Sequence, residues 1–345
     1  MSNKGKKGIL LVQLGTPDSP TTPDVKRYLT EFLMDPRVID IPYFQRTLLV
    51  KGIIARTRAP KSAKVYETIW DKETGSPLMH YSILQRNLLQ EALGEEYHVE
   101  LAMRYQNPSI EAALKNMEGL FLESIRVIPL FPQYASATSG SVIDRVMELI
   151  RKWNYLPEIS FVSNFCTDDL MAETYADHAR RHDLESFDHF VFSYHGLPVR
   201  QLGKVDPTGG QLKCPESGCD SCKMTVNSYC YLSQCYATTR TIAAKLGLKK
   251  EQYSLCFQSR LGKEPWIQPY TSDLLHDLAA KGYKKLLIFS PAFVADCIET
   301  IDEIGVEYAN EFKHLGGEEV CLVESLNDDP KWIESLKQLA LNAKN

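Results

Sequence analysis

Residues 190–198 read FVFSYHGLP. The run is aromatic or β-branched almost throughout, ends on His195, and is bent at once by Gly196 and Pro198. A short, nearly continuous apolar run of this kind predicts a parallel strand covered on both faces, with the imidazole left at its carboxyl end. Seven similar runs stand at 9–14, 99–103, 125–130, 159–162, 253–257, 285–289 and 319–323. Helical patterns separate them, among them 82–93, 141–152, 168–182, 229–246 and 298–312. Alternating strands and helices predict an α/β protein with parallel sheets. Eight strands divide evenly into two Rossmann-like, doubly wound halves, each a four-stranded parallel sheet flanked by helices. The expected division is 1–165 and 166–325, with a last helix in 326–345 packing back on the first half. An internal echo supports two similar halves. VIPLFPQYASATSGSVIDRV at 127–146 and LIFSPAFVADCIETIDEIGV at 287–306 both run strand, proline with aromatic, loop, helix. Ligands of open parallel sheets lie beyond the carboxyl ends of the strands. Both loops and His195 are therefore expected to face one cleft.

A net charge of −5 gives no basis for nucleic-acid binding, which calls for a basic surface. The opening MSNKGKKGILLVQLG lacks a small-residue cleavage site and reads as a buried first strand, so a cytoplasmic location is expected. No apolar run is long enough to predict a spanning helix. Nine cysteines without an export signal suggest a reducing compartment, where clustered cysteines point to metal before disulfides. Residues 28–70 mix large apolar side chains with Arg37, Arg46, Lys51, Arg56, Arg58, Lys61 and Lys64, broken by Pro36, Pro42 and Pro60. An ordinary helical crossover is the simplest account. The alternative is an apolar lip fringed with cations that attract anionic headgroups or carboxylates.

Three groups carry chemistry. A lone histidine is usually structural, but His195 ends a buried strand at a sheet edge, where neutral imidazole can take a proton or bind a transition metal. Glu299, Glu303 and Glu307 recur every four residues and share one helical face. A solvated acidic face is the common explanation of such a row. Placed after a strand and leading into a cleft, it could instead conduct protons or a cation, with crowding raising some of its pKa values. Cys214, Cys219, Cys222 and Cys230 give C-x4-C-x2-C-x7-C. The first two gaps match plant-type iron–sulfur spacing, and a four-cysteine zinc site is the alternative. Cys235 competes with Cys230 as fourth ligand.

At this point the motifs resemble a known family. LLVQLGTPD at 10–18, GSPL at 75–78, MRYQNPSI at 103–110 and LFPQYASATSGS at 130–141 are similar to ferrochelatase sequences. FVFSYHGLPVR, QCYATTR, LCFQSRLGKEPWIQPYT and SPAFVADCIETIDEIGVEY follow in the family's order. The resemblance covers nearly the whole chain. It implies two Rossmann-like halves with a porphyrin cleft between them, and insertion of Fe²⁺ into a porphyrin late in heme synthesis. Carried over, it makes His195 and Glu299 the essential pair and Glu303 a further acid on the same helix. Phe293 becomes an aromatic near the metal, and Tyr134, Arg104, Tyr105, Ser76 and Pro77 become contacts of the ring. It makes 32–54 the lip that holds the macrocycle and meets the membrane from the cytoplasmic side. The cysteine insert at 206–235 is similar to that of bacterial members with a [2Fe–2S] cluster. The family's cysteine at QCYATT also occurs without a cluster, which favours Cys230 over Cys235. Cys297 stands where some relatives have histidine.

The reaction fits these residues. A free-base porphyrin loses two N–H protons as the dication enters, and a ring held bent exposes its nitrogen lone pairs. His195 would receive the protons while Glu299 and Glu303 pass protons or iron, or His195 and Glu299 would hand over the metal. Protoporphyrin suits the apolar lip better than coproporphyrin. The rival readings are a cobalt or nickel chelatase acting on another tetrapyrrole and a non-catalytic iron–sulfur heme sensor. Oligomeric state is not legible.

Overall fold

The computed structural model describes residues 5–206, 227–260, 262 and 264–341. The chain divides into two compact units. Unit 1 comprises Met1–Phe131, Ala135–Asn164 and Asn327–Asn345; unit 2 comprises Pro132–Tyr134 and Phe165–Leu326.

Unit 1 is built on β1 (Lys7–Gly15), β2 (Tyr97–Tyr105), β3 (Ser124–Pro129) and β4 (Glu158–Phe161), in the order β2-β1-β3-β4. All neighbours are parallel. β1 is central and buried from Gly8 to Val12, so both faces must be covered by helices. On one face Leu10, Val12 and Ala102 meet Ile110 and Leu114 of α5 (Ile110–Glu118) and Val142 and Val146 of α6 (Ser141–Ile150). Each of the valine, leucine and isoleucine side chains contributes about 1.5–3 kcal/mol on burial. Helix α12 (Pro330–Leu341) belongs to this unit and packs on α4 (Pro77–Leu93). Gln85 of α4 donates to the Asn327 carbonyl, and Arg126 of β3 donates to the carbonyl of Leu339 in the last turn of α12. Gly15 ends β1 at φ +124, where a Cβ would collide with the Tyr105 carbonyl oxygen. Only glycine lets the two strand ends lie that close.

The segment expected as a lip folds as α1 (Thr22–Met34), α2 (Tyr43–Thr47), a π-helical stretch Leu48–Ile54 and α3 (Ala55–Ile69). Tyr43, Phe44, Leu48 and Ile53 are more than half exposed, Phe44 at 82%. Lys51, Arg56, Arg58, Lys61 and Lys64 are exposed beside them. Arg46 does not join that fringe. It is buried, and its guanidinium donates to the carbonyls of Ile39 and Ile41, which fixes the turn into α2.

Unit 2 repeats the plan with β5 (His189–His195), β6 (Tyr253–Gln258), β7 (Lys285–Phe289) and β8 (Glu319–Leu322), in the order β6-β5-β7-β8 and again parallel. Helices α7 (Asp169–Arg180), α8 (Val199–Lys204), α9 (Tyr231–Leu246), α10 (Thr271–Ala280) and α11 (Ala309–His314) belong to it. The echo between the halves extends to helix type. β3 is followed by a π turn at Ser136–Gly140 before α6, and β7 by a π-helix at Glu299–Tyr308 before α11. The expected helix at 298–312 therefore exists, but most of it is wound with the wider turn. π turns are rare and often lie at functional sites.

Candidate active site

The carboxyl edge of the unit 2 sheet carries the candidate chemistry. β5 is buried from His189 to Tyr194 and emerges at His195, which is half-buried. The two histidines of this strand differ. His189, at its start, stacks on Tyr283, hydrogen-bonds Ser254 Oγ, and is held down to about 4 by burial, assisted by the charge of Lys281. It is a neutral packing residue. His195 pairs its Nδ1 with the Gly196 carbonyl oxygen at 2.7 Å. A carbonyl only accepts, so Nδ1 carries the proton and the neutral ring keeps its lone pair on Nε2. Tyr231, in the first turn of α9, donates to the His195 carbonyl at 2.8 Å. Trp266 packs 6.4 Å from the imidazole, ring centre to ring centre. A Cβ on Gly196 would press on the Gln258 carbonyl oxygen at 2.9 Å and on Trp266 at 3.1 Å. Glycine is what lets the chain turn directly after the histidine.

The carboxylates sit at the start of the π-helix. Thr300 pins that start by donating to Asp296 and accepting from the Cys297 backbone N–H. Glu299 keeps some open surface, yet atoms crowd its carboxyl, and burial pushes it above the usual carboxylate range. The Cys297 thiol opposes that rise, as His195 would when protonated, and the neighbouring charge of Glu303 adds to it. His195 and Glu299 are thus brought within electrostatic reach. Glu303 accepts from Gln258 Nε2 at 2.9 Å, Ser259 Oγ at 2.7 Å and Tyr308 Oη at 3.3 Å. Asp302 and Glu307 are raised as well, first by burial and then by the charges around them. The Cys297 thiol is pushed up by burial and by Glu299, so it is a proton-bearing neighbour here. An imidazole with a free nitrogen beside a carboxyl that resists ionisation can exchange protons with a substrate.

The remaining ring-contact candidates fall in two places. Phe293 and Tyr134 belong to unit 2. The Phe293 carbonyl accepts from Tyr175 Oη, and Tyr134 packs edge-on against Tyr229 while its N–H donates to Gln234 of α9. Arg104, Tyr105, Ser76 and Pro77 belong to unit 1. Arg104 and the Tyr105 hydroxyl both donate to the buried carboxylate of Asp35, and Ser141 does too. Tyr105 is 0% exposed, so in this conformation it offers a hydrogen bond to Asp35 and no face to a ligand. Ser76 is also buried, accepts from the Thr16 hydroxyl, and stands just before α4, with Pro77 in the first turn.

Cys214, Cys219 and Cys222 lie outside the described residues. Cys230 is half-buried at the N-cap of α9, while Cys235 is fully buried and its thiol is pushed well up by burial. Among the described residues no group of three or more His, Cys, Asp and Glu side chains is arranged to hold a metal ion. Nor is any helix among them long and apolar enough to cross a membrane. The sequence reading passed over Asp35, Gln258, Ser259, Tyr308 and Trp266. Gln258, Ser259 and Trp266 lie inside the motif LCFQSRLGKEPWIQPYT, which was legible as a motif without a role for each residue.

Comparison with known proteins finds relatives along almost the whole chain. The ferrochelatase family model matches residues 6–344. The ferrochelatase of Coxiella burnetii (strain Dugway 5J108-111) is 41% identical over 343 residues, covering 99% of this chain and 94% of the relative. The ferrochelatase of Legionella pneumophila (strain Lens) is 40% identical over 341 residues, covering 97% and 98%. Among solved structures, SirB from Bacillus subtilis with Fe3+ superposes with a TM-score of 0.53 at 12% identity, covering 98% of this chain and 96% of that one. The sirohydrochlorin chelatase SirB of Bacillus subtilis subspecies spizizenii with cobalt gives 0.51, also at 12%. At that identity the likeness is one of fold. With four-tenths of its residues shared along almost its whole length, the chain belongs to the ferrochelatase family.

Proposed function

We propose that this chain metallates protoporphyrin IX, with His195 receiving the pyrrole protons and Glu299 and Glu303 passing protons or iron along the π-helix. The activity is the family's: it is a ferrochelatase, a porphyrin metal chelatase of heme biosynthesis with a porphyrin and ferrous iron as substrates. The reaction balances as one Fe²⁺ and one free-base ring giving the metallated ring and two protons. The observation that carries the residue assignment is the pairing, on one sheet edge, of an imidazole with free Nε2 and a carboxyl held above its ordinary range. Phe293 and Tyr134, which belong to the same unit, are the proposed contacts of the macrocycle. The lipophilic ring is favoured by the exposed side chains of Tyr43, Phe44, Leu48 and Ile53. Anaerobic Fe²⁺ insertion into protoporphyrin and coproporphyrin, followed in parallel, tests this. Faster turnover of protoporphyrin is expected; equal or faster turnover of coproporphyrin overturns the ring assignment.

The same exposed apolar surface, with Lys51, Arg56, Arg58 and Lys61 beside it, suits a peripheral contact with anionic lipid on the cytoplasmic face of the membrane. Vesicles containing phosphatidylglycerol should carry the protein down on centrifugation, and Phe44→Ser should weaken this several-fold. Pelleting indifferent to Phe44 would remove the surface from consideration.

The cysteine segment is assigned a [2Fe–2S] cluster on Cys214, Cys219, Cys222 and Cys230, with zinc as the alternative metal. The spacing supports it, and so does the position of Cys230, half-buried where α9 begins. Cys235 is the less favoured alternative, since it is fully buried within α9 whereas Cys230 stands at the helix start beside the segment. A bound cluster would cross-link the segment and add a redox-active group. Cys219→Ser is expected to abolish the visible absorption and the extra iron of the purified protein. An unchanged spectrum rules that thiol out, and zinc in place of iron overturns the cluster.

A further inference from the structure

Gln258 joins the two sides of the candidate site through a single residue. It ends β6 directly opposite His195, and its backbone carbonyl accepts the Gly196 N–H at 2.9 Å. Its side-chain Nε2 donates to the Glu299 carbonyl at 3.1 Å and to the Glu303 carboxylate at 2.9 Å. Both of those are acceptors, which assigns the nitrogen to their side and the oxygen to the other. The amide oxygen accepts from Ser193 Oγ at 2.8 Å, and Ser193 in turn meets the Thr271 hydroxyl at 3.1 Å. Gln258 is 1% exposed and Ser193 0%, so water cannot substitute for either partner. Both amide hydrogens and one acceptor position of the amide oxygen are thereby committed, and the group cannot rotate without breaking three bonds.

We infer that Gln258 is a positioning residue of the metallation site: its backbone fixes the turn after His195 while its amide fixes the Glu303 carboxylate and the start of the π-helix. This rests on the proposed roles of His195, Glu299 and Glu303. Ser193 locks the amide, and Ser259, the next residue, adds a second donor to the same carboxylate oxygen. Ser259 stands at φ +65, a left-handed backbone that turns its hydroxyl onto Glu303 directly after the strand ends. The strand end thus presents two adjacent side chains to one carboxylate.

The test is steady-state Fe²⁺ insertion by Gln258→Met, which keeps length and apolar volume but removes the amide. The expected result is a kcat lowered about 10- to 100-fold, the size typical for partners that orient a metal-handling group, with KM for the porphyrin within about threefold. Ser193→Ala, which frees the amide oxygen, is expected to lower kcat about 3- to 10-fold with the same unchanged KM. A merely structural role would move KM and the melting temperature together with kcat. A folded Gln258→Met with kcat within about twofold of the unaltered enzyme overturns the inference. If Gln258→Met does not fold, an unaltered kcat in Ser193→Ala overturns it instead. Either result leaves the metallation reading intact so long as the unaltered enzyme inserts iron; an unaltered enzyme that inserts none sinks that reading first.

Discussion

Replacing His195 with alanine is expected to cut ferrous-iron insertion by about 10²- to 10⁴-fold while porphyrin affinity stays within about threefold. The loss follows from how the imidazole is held. Its Nδ1 proton is committed to the Gly196 carbonyl, so Nε2 is the nitrogen free to take a pyrrole proton. The ring is half-buried and sits against Trp266, so a water entering the vacated space would have neither the same position nor the same basicity. The substitution also leaves the Gly196 carbonyl without its donor, a stability loss of about 1 kcal/mol. That is too small to unfold the unit, whose sheet is held by the buried length of β5. Insertion can be followed by the loss of free-base porphyrin fluorescence, and binding by titration without metal. Near-normal turnover would end the assignment of His195. Loss of binding together with turnover would make it a substrate contact instead.

The strands were legible because a parallel strand covered on both faces must be apolar at successive positions. β1, β5 and β7 show this in their burial. The edge strands β4 and β8 are only half-buried, yet keep enough Ile, Val, Leu and Phe to be read. The row Glu299, Glu303, Glu307 was legible as one helical face, but the π winding was not. The winding is accompanied by contacts made far along the chain, such as Gln258 to the Glu299 carbonyl, which leave no periodic trace. The roles of Arg46 and Tyr105 were hidden for the same reason. A cation in an apolar segment reads as a fringe, yet Arg46 turns inward to backbone carbonyls. A tyrosine in a shared motif reads as a ligand contact, yet Tyr105 is sealed against Asp35, seventy positions away. Pattern reports which residues are buried; it does not report which polar atoms they meet.

Glu299→Gln is expected to lower turnover by about 10²- to 10⁴-fold and, at the same time, to raise the melting temperature at pH 8 by about 2–4 °C. The folded protein holds the Glu299 carboxyl above its ordinary value of 4.5, chiefly by burial and secondarily by Glu303. The native state therefore binds this proton more tightly than the unfolded chain does. The stability that comes with it is complete below about pH 4.5 and is lost as pH rises through the raised folded value. At pH 8 the unaltered protein must either carry a charge among crowded atoms or hold a proton against the solvent. Glutamine does neither, and its amide can still hydrogen-bond. The melting-temperature advantage of the variant should therefore grow with pH and shrink toward zero as pH falls to about 4.5, where glutamate too is neutral. Asp302 and Glu307 are raised as well and contribute in the same direction, but both remain in the variant, so the difference isolates Glu299. A variant no more stable at pH 8 than at pH 5 would mean that the carboxyl is not strained by its surroundings. A variant that is both more stable and nearly fully active would remove the chemical reason for keeping a carboxylate where the fold disfavours one.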